Sequence, residues 1–485
     1  MSNCIVAPDT RTFERFQFTF PEQIESEHFI VHFTTSNADS QFVNEQWLNL
    51  QCNFGYAQSV IELAEYALAI FMEADWEMMP PDCDEGITDE ESPNHCNNFG
   101  GNALYDIYLA NDAVGLVAPE NPYPVEPYIG GFTSFMQVTP LGNDHTFVPD
   151  WSVHVIAHEL HHAIQIRYGT SVSGEPGNYA YNGWLYEQTS TYMENVIFPA
   201  SYHFLVMMGN CNITSPLTYP EISIDSSVDI YQYRSALWQK FLVEAYGDST
   251  INRLIWEGFG LETATGNPVN MFPIYESALQ TVTDGVTTLG DAYEDYALWR
   301  YFTGSRSRPG EFFMQAASYC TANLLAIEET STTFPSEKGG ARLVKLLPYE
   351  TNLVLASSAY DNLLVQHISF SEEDEILMSS IEVNGEESFF QLNNPAGDNH
   401  ALLITSEYTA EPGEEIEFTL SNTVPFMEGD ITGDSMVNVQ DIIVQINIIL
   451  HQIDPTDYQW LAADLDENNV VDVLDVILLV NLILG

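Results

Sequence analysis

Residues His158-Glu159-Leu160-His161-His162 place an H-E-x-x-H pattern inside an apolar repeat of helical period. Val153, Ile156, Ala157, Leu160 and Ile164 recur at three- and four-residue spacing, so the segment from about Asp150 to Tyr168 reads as an amphipathic helix. Asp150 is the expected N-cap and Gly169 the expected stop. Residues four apart on a helix stand one above the other. His158 and His162 therefore offer two imidazoles to one metal ion, and Glu159 falls beside them, where it can take a proton from water. Two nitrogen ligands and a carboxylate base are what zinc-assisted hydrolysis requires. His161 points about 100° away from His162 and reads as a bystander. His154, one turn before His158, reads as a surface or core histidine, with an outer supporting role as the alternative.

A catalytic zinc needs a third protein ligand and keeps one position open. The metzincin continuation H-x-x-G-x-x-H is absent, because Gln165 and Tyr168 stand at its glycine and last histidine. After a turn-rich loop comes Trp184-Leu185-Tyr186-Glu187-Gln188-Thr189-Ser190-Thr191-Tyr192-Met193-Glu194, a segment long enough for a returning helix. Glu187 is the expected third ligand. Glu194 lies two turns further on the same face and is the alternative ligand or a supporting group.

The run His158 to Gln165 followed by Trp184 to Glu194 resembles secreted bacterial gluzincin-type zinc metalloproteases. Members carry H-E-x-x-H-A-x-Q and then W-x-x-E-G-x-A-x-W-x-E. Pro80-Pro81-Asp82 and Tyr105-Asp106-Ile107-Tyr108-Leu109 fit the same group, and the match runs roughly from Phe29 to Phe259. The chain departs from it at Gln188, Ser190 and Tyr192. Thr191 stands where many gluzincins place an aspartate that orients a ligand histidine. The resemblance implies an α+β catalytic region, with a mixed sheet, a helical subdomain and a cleft between them. It implies zinc on His158, His162 and Glu187, and Glu159 as general base. It further implies an oxyanion donor from a later helix, Tyr233 or Tyr231, and an edge strand, Phe132 to Val138, that pairs with an extended peptide substrate. Arg234 is read as pairing with a local acid.

The tail carries a duplicated acidic loop, Asp430 to Asp441 and Asp464 to Asp475. In the first, Asp430, Thr432, Asp434, Asn438 and Asp441 stand at EF-hand positions 1, 3, 5, 9 and 12, with the Met436 carbonyl at position 7. In the second they are Asp464, Asp466, Asn468, Asp472 and Asp475, with the Val470 carbonyl. An apolar helical run follows each loop (Ile442 to Leu450 and Val476 to Leu484), and neither loop is expected to have a leading helix. The pair resembles a dockerin, which implies two Ca2+ sites and a cohesin-like partner. Val439, Gln440, Val473 and Leu474 stand where type I dockerins often carry small hydroxyl residues, which leaves the partner type open, and an intramolecular docking role with it.

The rest of the chain fills in around these motifs. A long helix is expected near Val43 to Glu73 and a strand at Tyr105 to Ala110, with a helix-rich stretch from Leu237 to about Leu325. Short alternating segments from about Ser336 to Leu420 read as a β-sandwich. The expected domains are thus 1–335, 336–426 and 427–485. A formal charge of −58 over 485 residues argues against nucleic acid and anionic membranes as partners. The apolar run at the C-terminus is far shorter than the about 20 residues a membrane span takes. Six cysteines allow the pairs Cys83–Cys96, Cys4–Cys52 and Cys211–Cys320. Disulfides and calcium loops together suit an extracellular protein, although residues 1–20 carry no signal-peptide pattern. The expected function is a secreted zinc endopeptidase with a calcium-dependent docking tail. The alternative is a surface-assembly protein whose peptidase fold no longer hydrolyses peptides.

Overall fold

The computed structural model describes residues 15–43, 46–83, 88, 95–96, 102–110, 115–141, 145–169, 182–263, 269–327, 331–337, 339–347, 350, 352–370, 375–392, 399–406, 415–422, 427–433, 436–455, 457–466 and 468–484. The fold is α+β, and the chain divides into two compact units. One comprises residues 1–218, 224–292 and 302–321, the other 219–223, 293–301 and 322–485.

The first unit opens with strands β1 (Glu22–Glu25) and β2 (Phe29–Phe33), then a hairpin of β3 (Ser40–Val43) and β4 (Gln46–Asn49), then helix α1 (Phe54–Glu73). The hairpin corrects the expected helix from Val43. Asn53 accepts a hydrogen bond from Tyr56 N at 2.9 Å and starts the helix there, so Gln46–Asn49 remain free to pair with Ser40–Val43. Strands β5 (Tyr105–Tyr108), β6 (Gly115–Pro122) and β7 (Phe132–Val138) complete a five-stranded sheet in the order β1-β2-β5-β7-β6. The inner strands β2, β5 and β7 are parallel; β1 and β6 are antiparallel to their neighbours. The buried runs Phe29-Ile30-Val31 and Tyr105-Asp106-Ile107-Tyr108 suit such a sheet, covered on both faces. Phe132–Val138 is therefore not the edge strand that the resemblance implied. It lies between β5 and β6, and the edge belongs to β6.

Helices α2 (Val153–Tyr168), α3 (Gly183–Ile197), α4 (His203–Gly209), α5 (Tyr231–Arg234), α6 (Ala236–Tyr246), α7 (Ile251–Thr263) and α8 (Met271–Val282) follow, and α9 (Leu289–Tyr301) leads out of the unit. α2 packs on β6 and β7 and against α1, α3 and α7. Disulfides join Cys83 to Cys96 and Cys211 to Cys320. Cys4 lies outside the described residues, and its expected partner Cys52 is a buried thiol.

One ionic cluster ties this sheet together. The Arg15 guanidinium makes a bidentate pair with Glu120 on β6 (2.9 and 2.7 Å) and also reaches Asp106 on β5 and Asp82. His32 on β2 contacts Asp106 at 2.5 Å. Burial, with repulsion from Asp106, pushes the Asp82 carboxyl upward, and the Arg15 guanidinium opposes that shift. Arg15→Met should leave buried acid without its cation and cost about 3–5 kcal/mol. Urea unfolding would measure it, and an unchanged midpoint would show the cluster to be dispensable.

The second unit contains strands β8 (Ser331–Glu337), β9 (Ala341–Leu346), β10 (Asn352–Ala356), β11 (Leu363–Phe370), β12 (Leu377–Ile381), β13 (Glu387–Gln391), β14 (Asn399–Ser406) and β15 (Glu415–Asn422). They form two four-stranded sheets, β13-β10-β15-β8 and β12-β11-β14-β9. Phe334, Leu353 and Phe418 from one sheet share a core with Val344, Val365 and Leu402 from the other. Pairing of β8 with β15 carries the sandwich back to Ser331, ahead of the expected break at Ser336.

Helices α10 (Val439–Ile449), α11 (Asp457–Ala463) and α12 (Val473–Leu484) form the tail. They close over Ile431, Ile448, Ala462, Ala463, Val471 and Leu479. α11 directly precedes the second loop, which corrects the expectation of no leading helix there. α10 and α12 each begin three residues early. Asn438 and Asp472 cap them, donating N–H to Asp441 and Asp475 at 2.8 Å and accepting from Gln440 N and Leu474 N at 2.8 and 2.7 Å. Among the described residues no helix is long and apolar enough to cross a membrane.

Candidate metal centre

α2 carries the motif. Its N-cap is Ser152, not Asp150, because residues 149–152 first close a turn in which Ser152 N donates to Pro149 O at 2.8 Å. It stops at Gly169, whose φ of +148° disfavours any side chain; a Cβ there would meet Thr263 Oγ1 at 2.6 Å. α3 runs alongside and buries Glu187, Gln188, Thr189, Ser190, Thr191 and Glu194. Apolar burial cannot hold such a face, and hydrogen bonds do so instead. Gln188 Nε2 donates to Ile224 O and Ser235 Oγ, and Trp256 Nε1 donates to Thr189 Oγ1.

His158, His162 and Glu187 converge. Glu187 Oε2 lies 3.1 Å from His158 Nε2 and 3.4 Å from His162 Nε2. The two imidazoles stand perpendicular, with centroids 4.7 Å apart. Two ligands about 2.1 Å from one tetrahedral ion are about 3.4 Å apart, so the spacing fits zinc.

The surroundings set the tautomers. Glu194 Oε1 sits 2.7 Å from His158 Nδ1 and, as a carboxylate, accepts its proton. Gln165 Oε1 sits 2.7 Å from His162 Nδ1, with Ser190 Oγ at 3.2 Å. Gln165 Nε2 donates to the Tyr186 carbonyl at 3.1 Å, which can only accept, so the amide orientation is fixed and Oε1 must receive from His162. Both Nε2 lone pairs therefore face the same carboxylate oxygen. Among the described residues no hydrogen bond reaches the buried His162 Nε2. A proton or a cation must lie between these three acceptors. Burial alone would raise the Glu187 carboxyl; a proton on the facing His162 or His158 outweighs this and holds it below its ordinary value.

Glu194, one turn beyond Thr191 on α3, is the carboxylate that meets His158 Nδ1. Burial opposes its ionisation, yet His203 and the hydrogen bonds from His158 and His203 hold it down to about 2. Tyr233 stacks on the His158 ring at 6.0 Å and 23°. It rides on α5, entered through Asp229 and Ile230, both at positive φ (+53° and +58°). This is an uncommon backbone for a β-branched residue. Arg234 holds that kink by donating to the carbonyls of Thr214 and Asp229 at 2.8 and 3.0 Å, rather than to a carboxylate. Tyr231 is fully buried. His161 is a core residue stacked on Phe71 (5.2 Å) with its edge to Trp76, and burial drives its pKa well down. Glu159 is fully buried, and its carboxylate packs against the backbone of Gly115 on β6. A Cβ at 115 would lie 2.5 Å from Glu159 Oε1.

In the tail, Asp464, Asp466 and Asp475 bring carboxylate oxygens within 4.8 Å of one another. Asp441 accepts from Thr432 N (2.8 Å) and Thr432 Oγ1 (2.9 Å), and Asp430 from Gly433 N (2.9 Å). Asp475 accepts from Leu465 N and Asp466 N, while Asp464 accepts from Asn468 N and Asn469 N. Asn468 and Asn438 accept from Val470 N and Gln440 N. Asp434 lies outside the described residues.

Residues 147–273, which span this centre, match a family of unknown function (DUF6055). No curated protein matches the chain. The sequence reading passed over Gln165, Ser190, His203 and Gly115 as contributors. Gln165 and Ser190 each stand one turn after a ligand, a spacing that could have flagged them; Gly115 and His203 left no local signal. If this group binds zinc, Glu187→Ala should abolish that binding. Gln165→Leu should weaken it by about 10–100-fold, which competitive chelator titration measures. Equal affinity in Gln165→Leu would show that His162 needs no such orientation.

Proposed function

We propose that this chain is a secreted zinc-dependent endopeptidase of the gluzincin type. The observation that carries the reading is the approach of two imidazole Nε2 atoms and one carboxylate oxygen at 3.1 and 3.4 Å, with Glu159 buried on the same helix. His158, His162 and Glu187 would hold the ion. Zinc, when bound, makes water more acidic and polarises the scissile carbonyl.

The chain's own residues supply the rest. Glu159 takes the proton of the attacking water and passes it to the leaving amine. Gly115 gives that carboxylate its place. Glu194 and Gln165 fix the two imidazoles so that Nε2 faces inward. Tyr233, packed on His158, is the donor for the developing oxyanion. β6, the outermost of the described strands on that side of the sheet, carries Gly115 and would be the strand with which an extended peptide pairs. Glu159→Gln should retain zinc by elemental analysis and lose casein hydrolysis by about 10²–10⁴-fold. Gly115→Ala should likewise keep zinc and lose on the order of 10²-fold. Near-full activity in Glu159→Gln, or wild-type turnover that survives chelation in a calcium buffer, would reject the mechanism.

The tail supports a dockerin-like role, with Ca2+ in two loops and a cohesin-like partner. Val439 and Ile443 on α10, Leu450 at its C-cap, and their counterparts Val473, Ile477 and Leu484 on α12 are exposed and apolar. The acidic loops, the two disulfides and the acidic composition suit an extracellular setting. Asp475→Ala in the full chain should lower the calcium bound by one ion per chain. It should also remove the calcium-dependent gain in melting temperature of the tail, read by calorimetry. An unaltered calcium count would sink this assignment.

A further inference from the structure

Beside the centre lies a second group of side chains of ligand type, of which the mechanism uses only Glu194. His154 is one turn before His158 on α2, and His203 opens α4. One ring nitrogen of each and one carboxylate oxygen of Glu194 lie within 4.8 Å of one another. Glu194 Oε2 is 2.5 Å from His203 Nδ1, while its other oxygen is bound to His158. The two imidazoles face each other at 4.0 Å and 17°. We propose that His154, Glu194 and His203 form a second site for a divalent transition-metal ion, joined to the first through the Glu194 carboxylate.

Four observations bear on this. Two imidazoles and one carboxylate form the donor set of the first centre, and such a set selects zinc-like ions over calcium or magnesium. Glu194 is buried and turns one carboxylate oxygen to His158 and the other to His203, so it can join the two groups. Burial holds His154 down to about 4, against the pull of Glu194, so at neutral pH its ring is uncharged and able to ligate. The buried Nδ1 of His154 makes no well-formed hydrogen bond, and the Trp151 backbone one turn earlier contributes only weakly to its ring. Parallel rings do not both aim in-plane at one ion, so binding requires the pair to splay. His203, with 27% of its side chain exposed, is the ring able to turn. Both histidines are only partly buried, which leaves positions for water on the ion. The site needs none of the peptidase chemistry proposed above.

The test is zinc titration of the full chain by calorimetry and elemental analysis, with saturating calcium to fill the tail loops. Wild type should take up two zinc ions. His203→Ala and the more conservative His203→Gln should each take up one, and His162→Ala should lose the other. One ion in wild type that His162→Ala removes, or an unchanged count in both His203 variants, overturns the proposal. One ion that survives His162→Ala but not His203→Gln would keep this site and reject the catalytic centre instead. If the His203 variants do not fold, cobalt titration of wild type decides. Two sequential spectral transitions support the site, and one rejects it.

Discussion

Two imidazole lone pairs aimed at one carboxylate oxygen are an unstable arrangement unless something positive stands between them. The first unit is organised around that demand. α2 and α3 lie close enough to bring His158, His162 and Glu187 together, and neither could do so as an ordinary amphipathic helix. The middle of α3 is polar and fully enclosed, and its side chains are satisfied by Gln165, Ser235, Gln239 and Trp256 rather than by water. Replacing that network with apolar packing would remove the groups that choose the tautomer of each histidine. The surroundings therefore orient His158 and His162 as much as the pitch of α2 does.

The motif residues were legible because their geometry is local. Positions 158, 159 and 162 are fixed relative to one another by helical pitch alone, and Glu187 follows once a returning helix is assumed. What the sequence could not convey was long-range. Gly115 precedes Glu159 by more than forty positions, and nothing in its neighbourhood marks it as the place where a carboxylate rests. Likewise Phe132–Val138 has the composition of any buried strand, and only sheet order reveals that β6 lies outside it. The hairpin at Ser40–Asn49 was missed because Gln46, Trp47 and Leu48 fit a helix nearly as well as a strand; Asn53 decides the boundary. In the second unit the alternating pattern gave most strands, while β8 was overlooked because Pro335 breaks its signature.

The tail shows duplication at the level of hydrogen bonds. Asn438 with Asp441, and Asp472 with Asp475, make the same reciprocal pair at the start of each helix. The carboxylate at loop position 12 therefore serves the helix whether or not an ion is present. The same reciprocal cap thus starts helices as apolar as α10 and α12 directly from short acidic loops.

The strand β6 is held at two places by unrelated means. Gly115 is wedged under the Glu159 carboxylate, and Glu120 is clamped by Arg15. A segment fastened in this way is already rigid before any visitor arrives. A flexible chain that paired with it would forfeit its own disorder but none of the strand's, so β6 would serve such pairing as a preorganised surface.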